Sequence, residues 1–342
     1  MSTYIAIAIL LSLLSLGNSK GYKLIIAFLL LTVIGGIRNI TVGTDTQNYA
    51  TLFETYGANT SEMIHATEPL FLFIQYFVAI NGWPYQVMVF LIMAITMTGV
   101  TIFANCISRK PVLVLLCYYL LYFYFYSFNL MRQYLAVSLI LISLYFLYID
   151  RIKLYALCVL IAFLFHSTAI IAIIAFFINR INIGVKVQVI VLFLTLLIGI
   201  TPIVQEISSK LFNFLPQDMF DYITEPNGIT ARLPISRILL TMYGAFIVFT
   251  LDENNLFIKL LTVGICILNL FSFQPVIGRI SQYFTLAQIA IIPNIDLLIK
   301  HRFYKIKQII TLASMTYLFV VWIYLMSNNV AEIVPYTIFT SW

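Results

Sequence analysis

Three arginines stand at the ends of apolar segments, where a charged side chain needs a specific reason to be present. They are Arg38, Arg132 and Arg279. A guanidinium stays protonated in proteins, and at membrane depth it costs on the order of several kcal/mol unless it is paired or hydrated. Its planar pair of donors matches the oxygens of a phosphate. The pattern therefore predicts a site for a phosphate-bearing substrate.

Arg132 is the most informative of the three. It is the only charged residue between Pro111 and Ile149, a run about twice the ~20 apolar residues that one membrane crossing needs, so it falls near the junction of two spans. Asn129 and Gln133 lie beside it as supporting residues. The preceding aromatic block, residues 118–128, is typical of a membrane interface or a groove. We predict that Arg132 faces a polar cavity that binds an anion; the alternative is a snorkelling interfacial anchor.

Three titratable side chains are candidates for moving a proton. Asp45 lies in a turn, 43–46, that is rich in backbone donors and hydroxyls, and it could act as a carboxylate base or hold Arg38 in place. The alternative is an ordinary polar loop. Glu68 precedes an apolar run, where a carboxylate also caps a helix N-terminus. His166 interrupts a long apolar segment, as either a satisfied core histidine or a donor and base for a substrate hydroxyl. The sequence does not choose the base among these three.

A second group of candidates lies later in the chain. Arg279 and Tyr283 are four residues apart and share one face of a helix, and Arg237 lies near the start of another apolar segment. No paired carboxylates or histidine cluster is spaced to hold a metal ion. We therefore expect arginine to neutralise the phosphate charge, with no metal or other cofactor.

The composition defines the class of protein. Of 342 residues, 62% are hydrophobic and 9% are charged, and the mean hydropathy is +1.01. These values predict an all-α polytopic membrane protein with about ten to twelve transmembrane helices in a single integral domain, 1–342. Two longer polar segments, 38–67 and 205–234, are predicted outer loops. The net charge of +6 is explained by membrane orientation, so no nucleic-acid partner is expected.

Short basic loops stay on the cytoplasmic side of a membrane, and several are present here. They cannot all be cytoplasmic if every apolar run crosses. The conflict disappears if the segments near 68–80 and 154–178 are re-entrant or interfacial, the second being interrupted at His166. Both termini and Arg132 then lie outside. A model in which every run crosses remains the alternative, and it would place Arg132 in the cytoplasm.

Five short motifs carry a resemblance to a known family. They are R-N-x5-T-D-T-x2-Y at 38–49, Glu68-Pro69, N-x2-R-Q-x2-A at 129–136, His166-Ser167 and R-x3-Y-F at 279–284. In this order, on this hydropathy profile, the chain resembles the EpsG-type branch of Wzy-like polysaccharide polymerases. That family builds O-antigen (lipopolysaccharide), capsule or exopolysaccharide from lipid-linked repeat units.

The resemblance implies a GT-C-like glycosyltransferase at the outer, periplasmic face of the bacterial cytoplasmic membrane. Its donor and acceptor would be glycans linked to undecaprenyl pyrophosphate, and a chain-length regulator is a possible partner. Arg38, Arg132 and Arg279 would bind the pyrophosphate, and Asp45, Glu68 or His166 would take the acceptor proton.

Two other classes of membrane protein also fit part of the pattern. A lipid-linked oligosaccharide flippase needs cations in a membrane cavity, although it would spread them through the depth of the bundle and show repeated halves. A membrane O-acyltransferase would place its histidine and arginine toward a cytoplasmic acyl donor. Both remain alternatives from the sequence alone.

Overall fold

The computed structural model describes residues 1–17, 19–56, 68–204, 206–207, 235–271 and 275–340, which are helical with short 3-10 segments and two isolated β-bridges. The predicted all-α fold is confirmed. Parts of both predicted outer loops, 57–67 and 208–234, lie outside the described residues. The chain divides into two compact units, Met1–Ile173 with Met315–Trp342 and Ile174–Ser314.

The described part of the first unit up to residue 173 contains nine α-helices followed by a 3-10 helix. Its elements are α1 (Ser2–Leu14), α2 (Tyr22–Gly36), α3 (Thr46–Tyr56), α4 (Pro69–Ile80), α5 (Tyr85–Ile107), α6 (Pro111–Leu120), α7 (Phe123–Asn129), α8 (Met131–Tyr148), α9 (Ile152–Phe165) and the 3-10 helix Ser167–Ile173.

The second unit contains shorter helices. They are α10 (Ile174–Arg180), α11 (Val185–Ile200), α12 (Ile235–Thr250), α13 (Leu256–Phe271), α14 (Pro275–Thr285), α15 (Gln288–Ile291), α16 (Ile295–Leu298) and the 3-10 helices Ile292–Asn294 and His301–Ile306. The last helix, α17 (Lys307–Ser327), begins in the second unit and ends in the first.

Among the described residues, three stretches are long and apolar enough to cross a membrane, namely Tyr85–Ile107, Met131–Tyr148 and His301–Ser327. A fourth would be the pair α6 and α7, which are bent by 60° at their junction. Eight further apolar stretches are 10–17 residues long. The polytopic class is confirmed, whereas the number of crossings stays a prediction.

The chain just before α4 and the start of α5, which follows α4, lie at the same end of the first unit. Glu68, just before α4, contacts Arg132 at the start of α8. Tyr85, at the start of α5, donates to the carbonyl of Thr46 at 3.0 Å. The neighbouring Gln86 donates to the carbonyl of Arg38 at 3.1 Å. Helix α4 has 12 residues, fewer than a full crossing needs, and the chain on both sides of it lies at this end. That arrangement is consistent with the re-entrant or interfacial element predicted near 68–80, which stays a prediction.

The segment near 154–178 also turns back. Helix α9 ends at His166, whose backbone is extended (φ −157°, ψ 121°), and the chain continues as a 3-10 helix. The hydroxyl of Tyr155, in the first turn of α9, donates to the carbonyl of Ala172 at 2.6 Å. The 3-10 helix therefore runs back along α9, and the predicted break at His166 is observed.

The aromatic block of α6 and α7 forms the core of the first unit. Tyr118, Tyr119, Tyr122 and Tyr124 are each 0% exposed. The hydroxyl of Tyr119 donates to the carbonyl of Tyr4 at 2.8 Å, which satisfies a buried donor inside the bundle. The sequence-based interpretation of this block as an interface or groove was therefore wrong, since the rings are packed against one another.

Two ends of the first unit differ in charge. Helices α5 and α8 both start at the end that holds Glu68 and Arg132, here called the site end. At the opposite end lie the starts of α2, α6 and α9 with their adjoining loops, and this end carries six basic residues, Lys20, Lys23, Arg109, Lys110, Arg151 and Lys153.

Helices α11, α12 and α13 of the second unit are joined by one buried amide. Asn269 donates to the carbonyl of Leu192 at 3.2 Å and accepts from the hydroxyl of Thr241 at 3.1 Å. Gly199 lies against the backbone of Asn269, and a Cβ there would overlap its carbonyl oxygen. Small residues and polar side chains are the usual means of close helix packing in membranes.

We expect Gly199→Ala to destabilise the second unit by about 1–3 kcal/mol, because backbone atoms cannot move aside as a side chain can. Thermal unfolding of the purified protein in detergent measures the effect. Gly278→Ala is the matched control, since a Cβ at Gly278 meets no atom within 4 Å. An equal fall in both variants would contradict the close packing inferred at Gly199.

Candidate functional site

A carboxylate shared by two cationic or proton-carrying groups forms the centre of the site. Glu68 Oε2 lies 3.3 Å from Arg132 Nη1, and Glu68 Oε1 lies 2.5 Å from His166 Nδ1. The backbone N–H of Ser167 lies 3.4 Å from the same Oε1. The three side chains are 11%, 36% and 23% exposed for Glu68, Arg132 and His166. The site is thus partly buried, and Arg132 is the most exposed of the three.

Local sequence explains why these groups meet. Pro69 starts α4 and leaves Glu68 as its N-cap, and Arg132 is the second residue of α8. His166 is the residue at which α9 stops. The two chain reversals described above bring the starts of α4 and α8 and the end of α9 to one place. Polar side chains at helix ends avoid the apolar middle of the bundle.

Two aromatic rings hold the guanidinium of Arg132 in place. Its Cζ lies 4.9 Å from the ring centroid of Phe71 and 5.6 Å from that of Tyr49, and those two rings are 6.0 Å apart. Cations are attracted to ring faces at this distance. Because Nη1 is committed to Glu68 while a third of the side chain is exposed, Arg132 keeps donor capacity for an incoming anion.

Glu68 lies before α4, outside the membrane-spanning helices, and its pKa is lowered from the ordinary value of 4.5. Burial by itself raises the pKa of this carboxyl. The hydrogen bond and charge of His166, followed by those of Arg132, outweigh burial and lower it. Glu68 is therefore ionised at neutral pH and acts as an acceptor only.

Arg38, predicted to bind pyrophosphate, lies inside the first unit. It is 2% exposed; its guanidinium donates to the carbonyls of Gly35 and Phe128, and it stacks on the Phe128 ring with Cζ 4.5 Å from the centroid. The backbone of Arg38 also forms a β-bridge with Ile338. In this arrangement Arg38 holds the end of α2 against the segment that leads to Arg132.

The chain after α17 closes over this region. Asn129, 6% exposed, donates to the carbonyl of Ala331 at 3.1 Å, and the N–H of Gly43 donates to the carbonyl of Glu332 at 3.0 Å. Gly43 has φ 108°, and a Cβ there would collide with the Asn129 amide, so glycine is required. Asn129 and the loop that carries Asp45 thus bind adjacent carbonyls of the same segment, 331–332.

The remaining candidates of the first unit lie close in the chain to the central group. Asp45 immediately precedes α3, and its carbonyl accepts from the N–H of Tyr49, whose ring faces Arg132. Gln133 follows Arg132 in α8 and is 3% exposed. The structure brings Arg132 and His166 each into contact with Glu68, and Asp45 lies one helical turn before Tyr49.

The candidates of the second unit are described separately. Tyr283 is 2% exposed, and Arg279 lies one turn earlier in α14 and is partly exposed. Arg237 is in the first turn of α12. Lys300 donates to the carbonyl of Val248 at the other end of α12, so Arg237 is at the opposite end of that helix from the basic segment 300–307. The roles predicted for these three residues stay predictions.

Two features of the site were missed in the sequence. The first is the contact of the Phe71 ring with Arg132. Phe71 is three residues after Glu68, and this spacing places both side chains on the same side of the start of α4, toward Arg132. The chain segment 328–340 carries no motif, and its contacts are mainly through its own backbone carbonyls, including that of Ile333, which accepts from Tyr4. Backbone contacts leave no signal in residue types.

The fold and the site define a helical, multi-pass membrane protein with a carboxylate, an imidazole and a guanidinium grouped at helix ends. The comparison with protein families is consistent with this class, since the EpsG family model matches residues 22–338. The chain belongs to the EpsG family, which is a family of Wzy-like polysaccharide polymerases. Comparisons with curated proteins and with solved structures gave no match.

Proposed function

We propose that this protein is a membrane glycosyltransferase that joins undecaprenyl-pyrophosphate-linked oligosaccharide repeats at the outer face of the bacterial cytoplasmic membrane. The observation that carries the proposal is the contact of Glu68 with both His166 and Arg132. It combines a group able to take a proton with a group able to bind a diphosphate. Membership of the EpsG family supports the reaction class.

The Glu68–His166 contact assigns a direction to the proton. An ionised carboxylate only accepts hydrogen bonds, so Nδ1 of His166 donates to it. In a neutral imidazole the other nitrogen, Nε2, then carries the lone pair. A carboxylate that holds the ring in this tautomer and stabilises the imidazolium is a general device for base catalysis. Nε2 of His166 is therefore the base of the proposal, with Glu68 orienting it.

In the proposed reaction the acceptor hydroxyl oxygen attacks the anomeric carbon of the donor glycan. The hydroxyl proton passes to His166 Nε2, and the bond from the anomeric carbon to the pyrophosphate oxygen breaks. Undecaprenyl pyrophosphate leaves with the electron pair. Arg132 stabilises the negative charge that develops on this leaving group. Asp45, in the same unit, remains a candidate contributor, and the step as written does not use a metal ion.

Charge distribution supports the outer location. The end of the first unit opposite to the site carries six lysines and arginines in short connections, and such connections stay cytoplasmic. The site end of the same unit carries Arg38 and Arg132, both bound within the structure. On this proposal the site faces the exterior, where lipid-linked repeats and a chain-length regulator would be met.

The proposal is tested in cells that lack the gene and are complemented with the wild type or with His166→Ala. We expect the wild type to restore the polymer ladder and His166→Ala to reduce polymer by about 10²-fold, the usual contribution of a general base. Single repeats should then accumulate on the outer leaflet. His301→Ala, an exposed histidine outside the site, is the matched control.

Two results would argue against the proposal. Single repeats trapped on the inner leaflet would indicate a flippase, and a wild-type ladder from His166→Ala would show that His166 is not the base. Purified protein should also retain activity after treatment with a metal chelator, and loss that is restored by a divalent ion would contradict the metal-independent mechanism.

A further inference from the structure

A basic surface segment in the second unit has no part in the proposed reaction. It is the 3-10 helix His301–Ile306 together with Lys300, which precedes it. The segment leads directly into α17, part of a stretch that is long and apolar enough to cross a membrane. The end of a spanning helix lies at the membrane surface, so this segment lies at the headgroup level.

Two of the four lysine and arginine side chains at residues 300–307 are committed to acids. Lys300 Nζ lies 2.7 Å from Glu253, and Lys307 Nζ lies 3.3 Å from Asp296. Across the described part of the chain, Arg302 and Lys305 have no acidic partner within ion-pair distance, and both are exposed. Glu253 also lies near enough to Arg302 for their charges to interact, so two acids face four cations and the segment presents an excess of positive charge.

Arg302 is held in a fixed orientation. Its Cζ lies 4.8 Å from the ring centroid of Phe249 and 4.6 Å from that of Phe303, and its Nη2 donates to the Phe249 carbonyl at 3.3 Å. A guanidinium placed between two rings loses little conformational freedom when it binds a second group. The remaining N–H donors are free to meet a planar pair of phosphate oxygens.

Apolar side chains are exposed beside these cations. Phe249 is 49% exposed, Tyr304 57%, Ile306 42% and Leu297 69%. A soluble polyanion has no apolar part to contact these side chains, whereas a lipid has acyl chains as well as a charged headgroup. Aromatic residues in particular favour the membrane interface. The combination of fixed guanidinium, free lysine and exposed apolar groups fits a lipid.

We propose that Arg302 and Lys305, with the exposed faces of Phe249, Tyr304 and Ile306, form a binding site for the phosphate headgroup of an anionic phospholipid. The site is separate from the group around Glu68 and does not depend on the proposed reaction. The two cations recognise the phosphodiester of the headgroup, and the exposed apolar side chains lie beside its acyl chains.

The test measures binding of phosphatidylglycerol to the purified full-length protein in detergent, by native mass spectrometry over a lipid titration. Each surface cation contributes about 1 kcal/mol to binding of anionic lipid, so Arg302→Gln with Lys305→Gln should weaken it roughly thirtyfold. Lys305→Gln alone should weaken it about fivefold; it removes an exposed side chain and leaves the Arg302 packing intact.

The control is Arg151→Gln with Lys153→Gln, which removes the same charge from another exposed basic turn. We expect this variant to bind phosphatidylglycerol as the wild type does, and phosphatidylcholine to bind all variants equally. Equal loss in both double variants would show diffuse attraction and overturn the site. Displacement of phosphatidylglycerol by free inorganic phosphate, or by an acidic peptide of equal charge, would also overturn the assignment of the site to a lipid.

Discussion

Glu68→Gln should abolish polymer formation almost as fully as loss of His166, by about 10²-fold or more. The amide has the shape of the carboxylate but donates as well as accepts hydrogen bonds. Its NH₂ group would donate to His166 Nδ1 and place the ring proton on Nε2, which could then no longer accept the proton of the acceptor hydroxyl. Polymer length and amount on gels, from membranes with matched protein content, measure the effect.

The same substitution should change the pH dependence of stability. The pKa of Glu68 is lowered in the folded protein, so its contribution to the free energy of unfolding is full above its unfolded pKa, near 4.5. That contribution is lost as the pH falls through the lower, folded pKa. Wild-type thermal stability should therefore fall across this acidic range, and Glu68→Gln should be flatter there.

Glu54→Gln is the matched control for both measurements. Glu54 is exposed on α3 in the same unit, and the substitution removes the same charge without touching His166. It should retain the wild-type ladder and the wild-type pH profile. A functional Glu68→Gln protein would contradict the orienting role of the carboxylate, even if its stability changed as expected.

Arg132→Ala should reduce polymerisation by about 10²-fold, and Arg132→Lys should fall between this variant and the wild type. Lysine keeps the positive charge but loses the planar fork that reaches Glu68 and a phosphate at the same time. The effect should appear in kcat more than in KM, because the charge on the pyrophosphate grows as the glycosidic bond breaks. Purified enzyme with a lipid-linked repeat allows the two constants to be separated.

Arg151→Ala is the control for Arg132, since it removes an exposed arginine at the opposite end of the same unit. A change in KM alone for Arg132→Ala would show that the guanidinium binds the substrate without stabilising the transition state. Equal activity of Arg132→Ala and the wild type would exclude Arg132 from the anion site altogether.

Much of the fold was predictable because its signals are local. The break at His166 was visible as a polar interruption of an apolar run, and the short apolar run at 68–80 predicted a short helix, as α4 is. Hydropathy and helix length are properties of the sequence alone. The burial of the aromatic block was not, because the same rings suit an interface, a groove or a core, and only packing decides among them.

The candidate site was predicted as residue types but not as contacts. Glu68, Arg132 and His166 were each identified, yet the sequence could not show that one carboxylate touches both of the others across separations of 64 and 98 residues. Arg38 shows the converse. Its position at a span end predicted an anion ligand, whereas the structure buries it against backbone carbonyls, an environment that depends on the distant chain after α17.

The single carboxylate of Glu68 links two chemical tasks. Any anion that draws Arg132 toward itself leaves Glu68 with His166 as its main partner, and the imidazole then becomes a stronger acceptor for the incoming proton. In the proposed reaction, binding of the donor diphosphate would thereby strengthen His166 as a base before the acceptor hydroxyl reacts.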